Sequence, residues 1–149
     1  MAWQSAAGAS IAISLTAPAT FDAAGFTALT PNIVGEVTNI GEFGKEFALV
    51  THMPLAERGT GKRKGSYNNG TLSPTMALDP DDAGQQDMAT ALEMDEPVFF
   101  QITLQDGTVY WCGGLVMTYR PNVAGVDDVV TATCTVELDN TPIIKIAAP

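Results

Sequence analysis

Ile11, Ile13 and Leu15 alternate with Ala12, Ser14 and Thr16 in the first well-patterned stretch of the chain. A period of two places one set of side chains on each face of a strand. "FTALT" (26–30), "IVGEVTNI" (33–40) and "EFALVTHM" (46–53) follow. Each is short and rich in β-branched or aromatic residues, and Pro18, Pro31, "GEFG" and Pro54 punctuate them. A hairpin is expected in which strand 46–55 goes up and strand 71–78 returns, around a long connection at about 57–70. Loops of that length in compact domains are usually functional or disordered, and this one is expected to be flexible.

One segment changes period. "LDPDDAGQQDMATALEM" (78–94) predicts a helix with Asp79 as N-cap, Pro80 at the first helical position, and Asp81 and Asp82 in the first turn. Gly84, Met88, Ala91 and Leu92 form its apolar stripe, and Pro97 requires it to end near Asp95. The alternation then resumes. "VFFQITLQDGTVYWCGGLVMTYR" (98–120) reads as two strands around Asp106-Gly107, a strong hairpin signal. In "VDDVVTATCTVELD" (126–139), Val130, Ala132, Cys134, Val136 and Leu138 take one face, and Thr131, Thr133, Thr135 and Glu137 the other. "PIIKI" (142–146) supplies a short last strand or extended tail. The expected architecture is mainly β, a sandwich or open barrel with one flanking helix, built as a single domain over 1–149.

Composition narrows the class. With 149 residues, 46% hydrophobic and 16% charged, the chain is no disordered segment and is long enough to bury a core without staples. Cys112 and Cys134 lie in apolar runs with no CxxC spacing and one His in the chain, which excludes a zinc site; they read as buried thiols, with a disulfide between them as the alternative. No apolar run approaches the length of a membrane span. The apolar N-terminus has no Lys or Arg before Asp22, so it reads as a strand rather than a secretion signal, and the expectation is a protein made in the cytoplasm.

No enzyme emerges. His52 stands at a strand end with no partner nearby in sequence. "GTGKRKG" (59–65) fails as a phosphate loop, because Ala56 stands where the first Gly belongs and Arg63 where the hydroxyl belongs. Asp79, Asp81 and Asp82 lack the Gly and Glu that a calcium loop needs in register, and capping explains them. No serine sits in a G-x-S-x-G setting. No metal or cofactor is expected.

The charge distribution is less ordinary. The net charge is −10, from 17 acidic and 7 basic residues, yet "ERGTGKRKGSYNNG" (57–70) holds Arg58, Lys62, Arg63 and Lys64. The bland reading is a solvated loop of no specific role. Phosphate repels a surface as acidic as the remainder, which disfavours nucleic-acid binding while suiting a wall that DNA passes without sticking. Without residues 57–70 the chain keeps three basic and sixteen acidic residues, a net of −13. The body is therefore an acidic partner for the loop of another copy, and head-to-tail contacts of that kind build rings and open stacks.

Three stretches, in order, resemble the tail tube proteins of long-tailed bacteriophages, the siphophage class that includes the lambda-like tubes. "GTLSPTMALDPDDAGQQDMATALEM" is similar to that family's strand–Asp–helix segment, "VFFQITLQDGTVYWCGGLVM" to its hairpin with a glycine-following strand, and "VDDVVTATCTVELDNTPII" to its final strand. Together they cover about half the chain. The immunoglobulin-like C-terminal extension of the lambda-like pattern is missing, which implies a bare tube domain. The resemblance implies a structural virion protein of the tail. Six copies form a ring, inner strands join into a continuous barrel, and rings stack into a conduit for DNA and, before it, a tape-measure protein, with tail-tip and terminator proteins as further partners. It also implies that the long loop touches the next ring, through Arg58, Lys62, Arg63 and Lys64. Candidate lumen acids are Glu36, Glu42, Asp127, Asp128 and Glu137. The alternatives are a tube subunit of a gene-transfer particle or secretion system, and a small acidic binding module that grips a ligand or nucleic acid with its basic loop.

Overall fold

A computed structural model of the protein describes residues 3–148. In chain order the elements are β1 (Ser10–Ser14), α1 (Ala23–Thr27), β2 (Asn32–Ile33), β3 (Val37–Asn39), β4 (Glu46–His52), β5 (Gly61–Asn68), β6 (Thr71–Leu72), β7 (Thr75–Ala77), α2 (Ala83–Leu92), β8 (Val98–Thr103), β9 (Val109–Asn122), β10 (Thr131–Leu138) and β11 (Ile144–Ile146).

Nine strands form one antiparallel sheet in the order β2-β1-β8-β9-β10-β7-β3, with β11 beside β9 and β6 beside β10. The two ends of that order, β2 and β3, are joined only by Val34, Gly35 and Glu36. So few residues span at most about 14 Å, so the sheet must curl until its edges nearly meet. The result is an open barrel. Its interior holds Ile11, Ile13, Phe100, Ile102, Cys112, Val116, Ala132, Cys134 and Val136, all buried. These are the inward positions of the alternating strands. A second, smaller core lies on the other side of β8 and β9, where Phe26 stacks on Trp111 with ring centroids 5.2 Å apart, next to Phe99.

The seam between β2 and β3 is held by α2. Met88 and Ala91 are buried in the main core. Gly84 lets the helix approach the Ile33 carbonyl and Val34 closely enough that a Cβ would collide with them. The N-cap is Asp82, not Asp79. One Asp82 carboxylate oxygen accepts from the Gln85 N–H at 3.0 Å and from the Gly35 N–H at 2.9 Å. Asp79, Pro80 and Asp81 form a turn ahead of the helix, with the Asp79 carboxylate accepting from the Asp81 N–H at 3.1 Å. The helix ends at Leu92.

Other expected boundaries move as well. Phe26 and Thr27 belong to α1 rather than a strand, because Asp22 accepts from the Gly25 N–H at 2.8 Å and starts a helical turn. Stretch 33–40 is broken at Glu36, whose φ of 60° turns the corner. Stretch 71–78 splits at Ser73-Pro74 into β6 and β7, with Pro74 O accepting from the Cys134 N–H at 3.1 Å. The Asp106-Gly107 turn joins β8 to β9, with Gly107 at φ 95° and the Asp106 carboxylate accepting from the Thr108 N–H at 2.9 Å. β10 starts at Thr131, and 123–130 is a turn. Its face pattern matches the alternation in the sequence, with Ala132, Cys134, Val136 and Leu138 buried. Both cysteines are buried free thiols, not a disulfide.

Candidate functional site

The basic segment is not one loop. Residues 61–68 form β5, which pairs with β4 in a two-stranded ribbon separate from the barrel sheet. The return strand of the hairpin is thus built from residues expected to be loop, and only 53–60 connect the two strands. The register sets Phe47 opposite Tyr67, Leu49 opposite Lys64, Val50 opposite Arg63 and Thr51 opposite Lys62. A bulge occurs where Ala48 faces Gly65 and Ser66; a Cβ on Gly65 would meet Val50 at 2.9 Å.

Every residue of β4 is exposed, and so is every residue of β5 except the half-buried Gly65. One ribbon face carries a ladder of cations and rings. The Lys45 Nζ lies 4.6 Å from the Tyr67 ring centre, Tyr67 packs on Phe47 at 5.5 Å, and the Lys64 Nζ lies 4.8 Å over Phe47. Lys62 and Lys64 share this face. Arg63 points to the other, with Val50. Arg58 lies in the turn, beside the exposed Met53 and Leu55. Lys45 is the residue the sequence reading missed. With it, residues 45–70 hold five of the seven basic residues and two acidic ones, and the remainder of the chain has a net of −13.

Isolated two-stranded ribbons are marginally stable in water. This one is anchored at its base. The Asn69 amide donates to the Asp139 carbonyl at 2.7 Å and to the Thr141 carbonyl at 3.1 Å. The Gly44 N–H donates to Asn69 O at 3.1 Å. Gly44 and Gly70, at φ 145° and 96°, turn the chain out of the body and back into it. The ribbon therefore leaves the barrel beside the end of β10.

The five candidate acids do not converge. Glu137 is exposed on the outer face of β10, where it accepts from the Thr71 hydroxyl at 2.9 Å. Glu36 sits at the β2–β3 corner, Glu42 in the connection before β4, and Asp127 and Asp128 in the β9–β10 turn. The β10 face that Glu137 shares is otherwise a run of hydroxyls, Thr131, Thr133 and Thr135. Strand edges remain open too. β8 pairs with β9 only as far as Gly114, and among the described residues β9 from Leu115 to Asn122 has a partner strand, β10, on one side alone. Unpaired edges are templates for pairing with another chain.

Among the described residues, no group of three or more His, Cys, Asp or Glu side chains is placed to hold a metal, and no helix is long and apolar enough to cross a membrane.

An open antiparallel barrel, one helix sealing its seam and a ribbon standing off the body make a phage tail tube-like fold, mainly β with few helices. Among the solved structures that share it are chains of an extracellular contractile injection system and of the anti-feeding prophage. One is a chain of an extracellular contractile injection system, the PVC sheath/tube terminator in its extended state, with TM-score 0.69 and 8% identity over 99% of both chains. Another belongs to the anti-feeding prophage baseplate, with TM-score 0.71 and 9% identity over 99% of both chains. A third, from the PVC sheath-tube complex in its extended state, gives TM-score 0.55 and 9% identity over 93% of this chain and 88% of its own. No protein-family model matches the chain, and no curated protein does. The similarity carries the tail tube-like fold rather than the siphophage assignment.

Proposed function

We propose that this protein is a structural subunit of a tail or injection-device tube, which forms hexameric rings that stack through the ribbon. The observation that carries the reading is the ribbon itself: exposed on both faces, rich in basic and aromatic residues, and attached to a body of opposite charge. Arg58, Lys62, Arg63 and Lys64, joined by Lys45, are its inter-ring contacts. Within a ring, the open edge of β9 pairs with a strand of the neighbouring subunit. The lumen passes DNA or protein without binding it, with Glu137 and the hydroxyl face of β10 as its wall. A tape-measure protein and terminator proteins are its partners in the particle. The fold matches favour the variant in which the tube belongs to an injection system over a siphophage tail.

Negative-stain microscopy and sedimentation of the purified chain at high concentration test the reading. Rings or tubes are expected from the full chain. Replacing residues 53–60 with Asn-Gly, a two-residue hairpin turn, leaves rings that do not stack. Persistent monomers from the full chain would remove the reading. Salt-sensitive DNA binding, lost on neutralising Lys62, Arg63 and Lys64, would instead favour the binding module.

A further inference from the structure

We propose that the tip of the ribbon docks on the β9–β10 turn of a second copy, in the next ring; this rests on the stacked-tube function above. That turn exposes three valines in seven residues, Val123 at 75%, Val126 at 100% and Val129 at 67%. The turn is ordered rather than slack: the Gly125 N–H donates to the Asp128 carboxylate and the Asp128 N–H to the Gly125 carbonyl, both at 3.1 Å. An ordered turn that presents three valines to water is a surface suited to an apolar contact.

Three observations choose the ribbon of another copy for that contact. The first is position. The turn leads into β10 at Thr131, and the ribbon base is bonded to Asp139 and Thr141 just beyond the far end of the same strand. Eight residues at about 3.3 Å each put roughly 25 Å between the two features, so the turn and the ribbon base lie at opposite ends of β10. The second is charge. Asp127 and Asp128 lie between Val126 and Val129, and the Leu78 N–H bond to Val130 O at 2.9 Å draws Asp79 and Asp81 to the same end. The ribbon brings Arg58 and Lys62. The third is apolar match, since the ribbon tip exposes Met53 and Leu55. Nucleic acid is excluded here by the carboxylates. A second copy offers both ends at once, and a contact between unlike ends propagates as an open stack. On this assignment Asp127 and Asp128 belong to the ring-to-ring contact and not to the lumen.

Site-specific cross-linking and charge exchange test it on the full-length chain. Cys112 and Cys134 are buried, and burial pushes both thiols up to about 12, so a maleimide reports on introduced cysteines. A mixture of Leu55→Cys and Val126→Cys chains treated with a short bismaleimide should give cross-linked dimers in the assembled fraction. Leu55→Cys with Thr133→Cys, on the outer face of β10, should not. Arg58→Glu with Lys62→Glu should raise the concentration needed for stacking at least about tenfold, and Asp127→Lys with Asp81→Lys should do the same; all four together should return it to within about threefold of the parent. Asp127→Lys leaves the turn's own bonds in place, since those use Gly125 and Asp128. Tubes that form without the Leu55–Val126 cross-link, and no recovery on charge exchange, overturn this assignment while leaving the tube reading intact. A parent chain that forms neither rings nor tubes removes both.

Discussion

Replacing Gln85 with Leu tests what joins the helix to the barrel. Gln85 is buried, and its amide makes four hydrogen bonds. Its Nε2 donates to the carbonyls of Gly35 at 3.0 Å and Ala77 at 2.8 Å. Its Oε1 accepts from the Asp79 N–H at 3.0 Å and the Tyr119 hydroxyl at 3.3 Å. One side chain thus ties α2 to the β2–β3 corner, to β7 and to β9. Leu fills nearly the same space and deletes all four bonds. The half-buried Tyr119 hydroxyl turns to water, but three backbone groups lose their partner. At about 1 kcal/mol for each lost bond, and more where a group stays orphaned, the loss is about 3 kcal/mol. For a domain of this length that lowers Tm by about 10 °C.

Urea unfolding followed by circular dichroism measures it, with an unchanged m-value confirming that the compactness of neither state has shifted. Gln85→Glu sharpens the test. A carboxylate still accepts from Asp79 and Tyr119 but meets the Gly35 and Ala77 carbonyls with lone pairs. Its pKa in the folded protein is then raised, so the folded state holds the proton more tightly and stability recovers as pH falls. A loss below about 1 kcal/mol for Gln85→Leu, or a Gln85→Glu variant that weakens further in acid, would show that these four bonds do not hold the helix to the barrel.

Three further outcomes follow from contacts elsewhere. Asp82→Ala removes acceptors from both Gln85 and Gly35 and should cost about 2 kcal/mol in the same unfolding assay, while Asp79→Ala costs less than half as much; the reverse order would restore Asp79 as the cap. Gly114→Ala drives a Cβ against the Glu137 carbonyl and Leu138 where β9 pairs with β10, so it should destabilise by about 1–3 kcal/mol, and a neutral result would mean that the strands separate easily. Cys112 and Cys134, with thiols pushed up to about 12, should resist a thiol reagent at pH 8 until denaturant is added; native-state labelling at the rate of a free thiol would show that the barrel opens.

Where a strand sends alternate large apolar side chains into the main core, the sequence shows it. Ile11 and Ile13, Phe100 and Ile102, and the Ala132-to-Leu138 series all carry period two and all point inward. The ribbon has no buried face, so β5 has no such pattern, and its lysines and glycines read as loop. Its pairing depends on partners across the register, Phe47 with Tyr67 and Leu49 with Lys64, that no local window displays. The same register brings Lys45 into the basic group. Asp79 and Asp82 both satisfy the local rules for a cap; what decides between them is the Gly35 N–H, distant in sequence. α1 starts from a local cap, Asp22 on the Gly25 N–H, and the burial of its Phe26 against Trp111 is again a tertiary contact. Of the candidate site, the basic group was legible as composition. The acids were legible only as residues, and the fold scatters them, Glu137 on β10 and the others in turns and connections.

The separation of charge between two ends of the subunit also bears on polarity, and salt should expose it. Ribbon against ribbon brings Arg58, Lys62, Arg63 and Lys64 together with their own kind, and turn against turn does the same for Asp127 and Asp128. Both like-end contacts are repelled, and only the unlike pairing is attractive, which selects a stack of single direction. The selection is electrostatic and therefore depends on ionic strength. Charges are felt over about 10 Å at 0.1 M salt and about 3 Å at 1 M. The apolar groups, Met53 and Leu55 on one end and Val126 on the other, keep their attraction at high salt, and they do not distinguish one end from its like. A chain with Leu55→Cys as its one introduced cysteine should thus give no ribbon-to-ribbon cross-link at low salt, and cross-linked homodimers should appear as salt is raised. Homodimers that form readily at low salt would show that shape rather than charge sets the direction of the stack.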